Sequence, residues 1–129
     1  MIEAHGDPGS EHILPAEPPA VIDCLAFDLH LRILDRAEEL CFLELECARL
    51  GHAATGRWLL RECPRRRSDD APEQMLCFYR SHRAATRAKL YTWRAGEPDG
   101  RTPEEWRACA SQYLEAALEN ARLSVRYPG

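Results

Sequence analysis

The sequence predicts an all-α protein, an up-and-down helical bundle of three long helices plus one short helix behind an extended N-terminal arm. Three observations carry that expectation. Leu and Ala dominate the apolar residues, while valine occurs only at Val21 and Val125, so the chain has few β-branched side chains with which to build a sheet. Long windows lack both Gly and Pro. The windows are separated by strong helix start and stop signals. At 129 residues the chain suits one domain, expected over residues 19–129.

Residues 1–18 contain Pro8, Pro15 and Pro18 with Gly6 and Gly9, a composition that predicts a flexible, extended arm. After Pro19 neither Gly nor Pro occurs until Gly51, and the spacing predicts a first long helix up to Leu50. On it Asp28, Arg32, Asp35, Glu39 and Glu46 fall within an arc of about 60°. Most of the remaining circumference is apolar and includes His30, which reads as a buried histidine. So wide an apolar arc fits a central helix, or one covered by a second subunit.

Gly51 is a stop signal. A short helix, His52 to Cys63, follows with Trp58, Leu59 and Leu60 as its buried face, and PRRRSDDAP then reads as a loop. Asp70, Pro72 and Glu73 open the next helix, which runs to Ala95 and stops at Gly96. Thr102-Pro103-Glu104-Glu105 supplies a cap, a first-turn proline and an N3 glutamate for the last helix. Its inner face is Trp106, Ala110, Tyr113, Leu114, Ala117, Leu118, Ala121 and Val125, and it ends near Tyr127.

Charge is the most informative pattern. The chain carries a formal −4, yet residues 76–96 hold four arginines, the single lysine Lys89 and no acid. Projected on a helix, Arg80, Arg83, Arg87 and Arg94 form a stripe about 60° wide, flanked by Tyr91. Arg65, Arg66 and Arg67 precede it and would extend the positive field if they fold beside it. Guanidinium groups fork onto phosphates and carboxylates, and aromatic faces stack on bases. The stripe therefore suits nucleic-acid phosphates, an acidic protein surface, or the acidic arc of the first helix.

The sequence offers no motif for chemistry. The cysteines Cys24, Cys41, Cys47, Cys63, Cys77 and Cys109 are widely and irregularly spaced, unlike zinc ligands or a disulfide framework. No histidine has a glutamate three residues before it, and neither GxxxxGK[ST] nor GxGxxG occurs. No cofactor, metal or catalytic residue is expected. The absence of a basic, apolar leader or a run of about 20 apolar residues leads to the expectation of a cytoplasmic protein with reduced thiols. The expected function is non-enzymatic: a small subunit of a nucleoprotein assembly contacting phosphates through the arginine stripe. The alternative is a protein–protein interaction module, an adaptor, inhibitor or homo-oligomeric scaffold using the apolar arc of the first helix.

Overall fold

The computed structural model describes residues 1–63, 71–97 and 100–126. It is an all-α helical-bundle protein. Its framework is α1 (Arg36–Arg49), α2 (Ala53–Glu62), α3 (Glu73–Arg94) and α4 (Pro103–Ser124). Among the described residues the strands are the two-residue segments β1 (Ile2–Glu3), β2 (Ile13–Leu14), β3 (Ala20–Val21) and β4 (Ile33–Leu34). The chain divides into two compact units, Met1–Ala71 and Pro72–Gly129.

In the second unit α3 and α4 form a helical hairpin. Tyr91 meets Trp106 and Tyr113 at ring-centroid distances of 5.2 and 5.3 Å. Ser81 Oγ donates to the Ala117 carbonyl at 2.9 Å. Rising numbers on one helix meet falling numbers on the other, so the pair is antiparallel. Ala84, Ala88, Ala110 and Ala117 are buried along the seam, where small side chains let two helices approach closely. Leu114, Leu118 and Val125, expected on the inner face of α4, are instead exposed: one neighbouring helix covers only a narrow stripe of an amphipathic helix.

The start of α4 is as expected. Thr102 is the N-cap, and its side chain and that of Glu105 satisfy each other's backbone N–H groups. The start of α3 differs, because Pro72 occupies the N-cap with no side-chain cap bond. Asp70 lies outside the described residues, as do Arg65, Arg66 and Arg67.

The larger correction concerns the first helix, which spans Arg36–Arg49 and not residues 19–50. Three aspartates explain the difference. Asp35 accepts the Ala37 N–H at 2.8 Å and starts α1 there. Asp28 accepts the His30 N–H at 2.9 Å and opens a single 3-10 turn, Leu29–Arg32. Asp23 sits in the left-handed region, with φ 58°. Short acidic side chains that bond nearby backbone groups favour caps and turns, and here they override the helical pattern. His30 and Leu29 are consequently exposed.

The expected N-terminal arm is also tied down. Ile2 pairs with Leu34 and Glu3 with Ile33, while Ile13 pairs with Val21. Ala4, Gly6, Pro8 and Gly9 are buried. On α2, Trp58 is exposed rather than inward, and Gly56 is the buried residue. A Cβ at Gly56 would stand 2.9 Å from the Glu44 backbone, so glycine sets how closely α2 meets α1. Among the described residues, no helix is long and apolar enough to cross a membrane.

Candidate functional site

The arginine stripe lies on α3, as its periodicity implies, but its members occupy different environments. Arg80 is half-buried and pairs with Glu73 at 2.9 Å. Arg83 is half-buried. Arg87 keeps only 5% of its surface exposed, with its guanidinium 5.9 Å from the Tyr91 ring centroid. Tyr91 is buried in the aromatic seam, and Arg94 is exposed beside Trp106. A row reading a phosphate backbone needs all its guanidiniums at the surface, and in this arrangement Arg94 is the one that is fully offered.

A second cluster, which the sequence reading treats as part of an arm, is assembled in the first unit. Its residues come from the loop His5-Gly6-Asp7-Pro8-Gly9-Ser10-Glu11-His12 and from Asp23, which follows the β2–β3 hairpin. The hairpin returns the chain so that Ile22 N–H donates to the His12 carbonyl at 2.9 Å. His5 Nε2 lies 2.7 Å from the Ile22 carbonyl. A carbonyl can only accept, so this nitrogen carries the proton. His5 Nδ1 is buried and has no partner among the described residues.

His12 is oriented in the same way. Its Nδ1 lies 2.8 Å from the Asp7 carbonyl, which fixes the proton there and leaves Nε2 facing the Asp23 carboxylate at 3.5 Å. The imidazoles of His5 and His12 lie 5.9 Å apart, tilted by 32°. Asp23 is largely exposed. Its positive φ is a backbone state that asparagine and aspartate tolerate better than other side chains, at a cost of about 1–3 kcal/mol.

Helix α1 holds this loop from beneath at two points about two helical turns apart. The Glu39 carboxylate accepts the N–H of His5 at 2.8 Å and of Gly6 at 3.2 Å. Glu46, 1% exposed, accepts from Ser10 Oγ at 3.3 Å and from Arg49 Nη2 at 3.1 Å. The acidic arc of the first helix therefore has a specific task on α1: two of its carboxylates anchor a loop. Gly6 is required between these anchors. Its φ is +88°, and a Cβ there would meet Leu25 Cδ1 at 2.9 Å and the Leu31 carbonyl at 3.2 Å.

The cluster brings together two imidazoles and the Asp23 carboxylate, with Asp7 contributing its backbone carbonyl; imidazoles and carboxylates are the side-chain types used for proton transfer and for holding cations. The signal in the sequence is short: His-x-Asp, four residues, then His, followed by an aspartate after an Ile-Leu…Ala-Val hairpin. No three His, Cys, Asp or Glu side chains among the described residues converge into a closed metal site.

No family model matches the chain, and no solved structure does. Over its whole length the chain is 31% identical to the uncharacterized protein Rv2004c of Mycobacterium tuberculosis and equally to the uncharacterized protein Mb2027c of Mycobacterium bovis. It covers 27% of each, so the chain spans about a quarter of the length of these relatives.

Proposed function

We propose that the His5–Asp23 segment is the acid–base and metal-holding loop of a phosphoryl-transfer centre. Asp7 is the residue that takes the proton from an attacking hydroxyl, and His12 and Asp23 are ligands to a divalent cation carried by the phosphate donor. The observation that supports this most directly is the 2.7 Å contact of His5 Nε2 with the Ile22 carbonyl. It seats the His-Gly-Asp loop against the residue immediately before Asp23.

The spacing adds a second argument. Protein kinases place a catalytic aspartate in His-Arg-Asp, a metal-binding asparagine after four further residues, and a second metal-binding aspartate later in the chain. Here Asp7 is followed after four residues by His12, and Asp23 closes the next hairpin. Glycine replaces the arginine of that pattern and histidine the asparagine.

Asp23 fits this role, because Mg²⁺ at such sites is held through one or two carboxylates and completes its shell with phosphate oxygens and water; the His12 imidazole stands where that pattern has an oxygen ligand. A cation bound there supplies charge neutralisation for the transferred phosphate. The remaining work belongs to the protein. Glu39 fixes the backbone on the N-terminal side of Asp7, the Asp7 carbonyl orients His12, and the hairpin sets the approach of Asp23. No Gly-rich phosphate loop is present in the sequence, so this reading assigns the chain the proton-transfer and cation side of the reaction. It departs from the expectation of a non-enzymatic binding protein, which treats residues 1–18 and Asp23 as parts of unrelated elements.

Paramagnetic broadening tests it without needing turnover. Mn²⁺ titrated in the presence of ATP should broaden the NMR signals of His12 and Asp23 first. D23N should abolish that selective broadening, whereas D7N should preserve it, because Asp7 handles the proton. Broadening spread evenly over the surface carboxylates would sink the reading.

A further inference from the structure

The α3–α4 hairpin is buried unequally on its two sides. Its seam is made by Cys77, Ala84, Ala88 and Tyr91 on α3 and by Trp106, Ala110, Tyr113 and Ala117 on α4. At 100° per residue, Phe78 and Ala85 lie roughly 90–110° round α3 from that seam. Leu114, Leu118 and Val125 lie roughly 70–110° round α4 in the same rotational sense. In an antiparallel pair, equal senses of rotation lead to the same side, so these five residues share one side of the hairpin. All five are exposed: Phe78 54%, Leu114 and Leu118 52% each, and Val125 81%, with Ala85 between them. The opposite side carries Leu76, Ala116 and Leu123, which are half-buried.

The patch is continuous. The bond from Ser81 Oγ to the Ala117 carbonyl sets the register, which puts Phe78 at a level between Leu118 and Val125 and Ala85 level with Leu114. Leu114, Leu118 and Val125 are spaced by four and then seven residues, the spacing of a helix that packs on another helix. An apolar stripe of this kind on both members of a helix pair is what a four-helix bundle encloses.

We infer that the occupant of this side is a second copy of the chain, bound about a two-fold axis parallel to the helices, so that α3 of each copy lies on α4 of the other. The patch draws on both helices, and a two-fold interface presents the same patch from each partner. Charge selects the arrangement. After Glu73, α3 contains five basic residues and no acid, whereas α4 contains four glutamates and two arginines. Laying α3 on the partner's α3 would oppose two basic helices; laying it on α4 pairs unlike ones. Lys89 on α3 and Glu115 on α4, both exposed, stand farther round from the seam than the patch, on the outer rim that the two copies would share. This surface is separate from the His5–Asp23 cluster, and its role does not depend on the function of that cluster.

Sedimentation equilibrium of the 129-residue chain over a range of concentrations tests the pairing. A monomer–dimer equilibrium is expected. Leu118→Glu should weaken it about a hundredfold or more, because a symmetric interface loses two buried leucines at once. Lys89→Glu and Glu115→Lys should each weaken the dimer, and the double variant should recover it, since only the α3-on-α4 arrangement brings these two positions to one rim. Two exposed apolar residues off the patch serve as controls: Met75→Gln, on the far side of α3, and Trp58→Gln, on α2, should behave as wild type. A chain that stays monomeric at every concentration overturns the inference, as does a dimer indifferent to Leu118→Glu or one lost equally in the controls. Failure of the double variant to recover a dimer that both single variants weaken overturns the α3-on-α4 arrangement. The substituted side chains are exposed, so unchanged far-ultraviolet circular dichroism confirms that each variant is folded.

Discussion

The two units are built on opposite principles. Pro72–Gly129 is a pair of 22-residue helices joined along a seam of alanines and three aromatics that meet at tilted and edge-on angles. Met1–Ala71 has two shorter helices and a loop-rich half whose backbone is held by side chains: Glu39 on His5 and Gly6, and Arg32 Nε on the Ala4 carbonyl at 3.0 Å. The first design repeats one local rule and buries apolar area. The second spends its polar groups on fixing an irregular path, and there imidazoles and a carboxylate gather. A regular hairpin serves as scaffold, whereas an irregular loop pinned from below can hold groups in unusual orientations.

The largest expected effect sharpens the scaffold side. Tyr113 is 2% exposed and meets Tyr91 edge-on. Tyr113→Ala removes the centre of the seam and should cost about 3–5 kcal/mol, as other large aromatic truncations do. Denaturant unfolding measures the loss. Hydrogen exchange then tells whether the amides of α3 and α4 lose protection while those of α1 keep theirs; equal loss in both units would break the comparison.

The matching perturbation in the first unit is Gly56→Ala. The added methyl would meet the Glu44 Cα and carbonyl oxygen at 2.9 Å and Cys47 Cβ at 3.0 Å. Backbone cannot swing aside as a side chain does, so α2 must move away from α1 at about 1–3 kcal/mol. Because α1 carries Glu39 and Glu46, exchange at the His5 and Gly6 amides should accelerate as well. Unchanged exchange there would show that the loop is held independently of the α1–α2 contact.

What the sequence reveals follows the same division. The bounds of α3 and α4 are legible because each is set within a few residues: Thr102 to Glu105 at one start, Gly96 just beyond one end. The first unit misleads because its apolar residues from Ile22 to Leu34 also satisfy a helical period. Which structure forms is decided by Asp23, Asp28 and Asp35 acting on adjacent backbone, and by partners far along the chain: His5 with Glu39, 34 residues away, and Ser10 with Glu46, 36 away. Periodicity does not report such pairings. The candidate site was hidden for the same reason, since Asp23 reaches His12 only once the hairpin has turned. Conversely, the arginine stripe is real as a helical projection, but projection alone does not tell that Arg87 is buried.

Smaller effects probe the caps. Thr102→Ala should cost about 1 kcal/mol through loss of the N-cap bond. Its pH dependence distinguishes a capping box from simple packing. Glu105 is held below the usual carboxylate range because it accepts the Thr102 backbone N–H and then the Thr102 hydroxyl, with the Arg101 charge adding to this. Its folded value lies below its unfolded one, so the contribution is complete above the unfolded value and is lost as pH falls through the folded value. The gap between the wild-type and Thr102→Ala melting curves should therefore narrow as pH falls through the Glu105 titration, leaving the part due to the N-cap bond from the Glu105 N–H, which does not titrate. A gap that stays constant over that range would show that the Thr102 hydroxyl bond to the Glu105 carboxylate contributes nothing.

The thiols provide the finest comparison, because each unit contains one whose ionisation is opposed by its surroundings. In the first unit Cys47 is pushed up by burial, and then by the charges of Glu46 and Glu44. In the second, Cys77 is pushed up by burial and by Glu73, with Arg80 pulling the other way. A raised folded value means these groups favour the fold below their unfolded value and that the benefit is lost as pH rises through the folded one. Since the thiolate is the nucleophile, iodoacetamide should label exposed Cys63 well before Cys47 or Cys77. The two slow sites then separate by unit. Cys77 is 1% exposed within the aromatic hairpin, so its labelling needs the second unit to open, whereas half-buried Cys47 needs only a local fluctuation. Peptide mapping over a time course should give the order Cys63, Cys47, Cys77. If Cys77 reacts before Cys47, the second unit is the looser of the two, and the roles of scaffold and pinned loop must be exchanged.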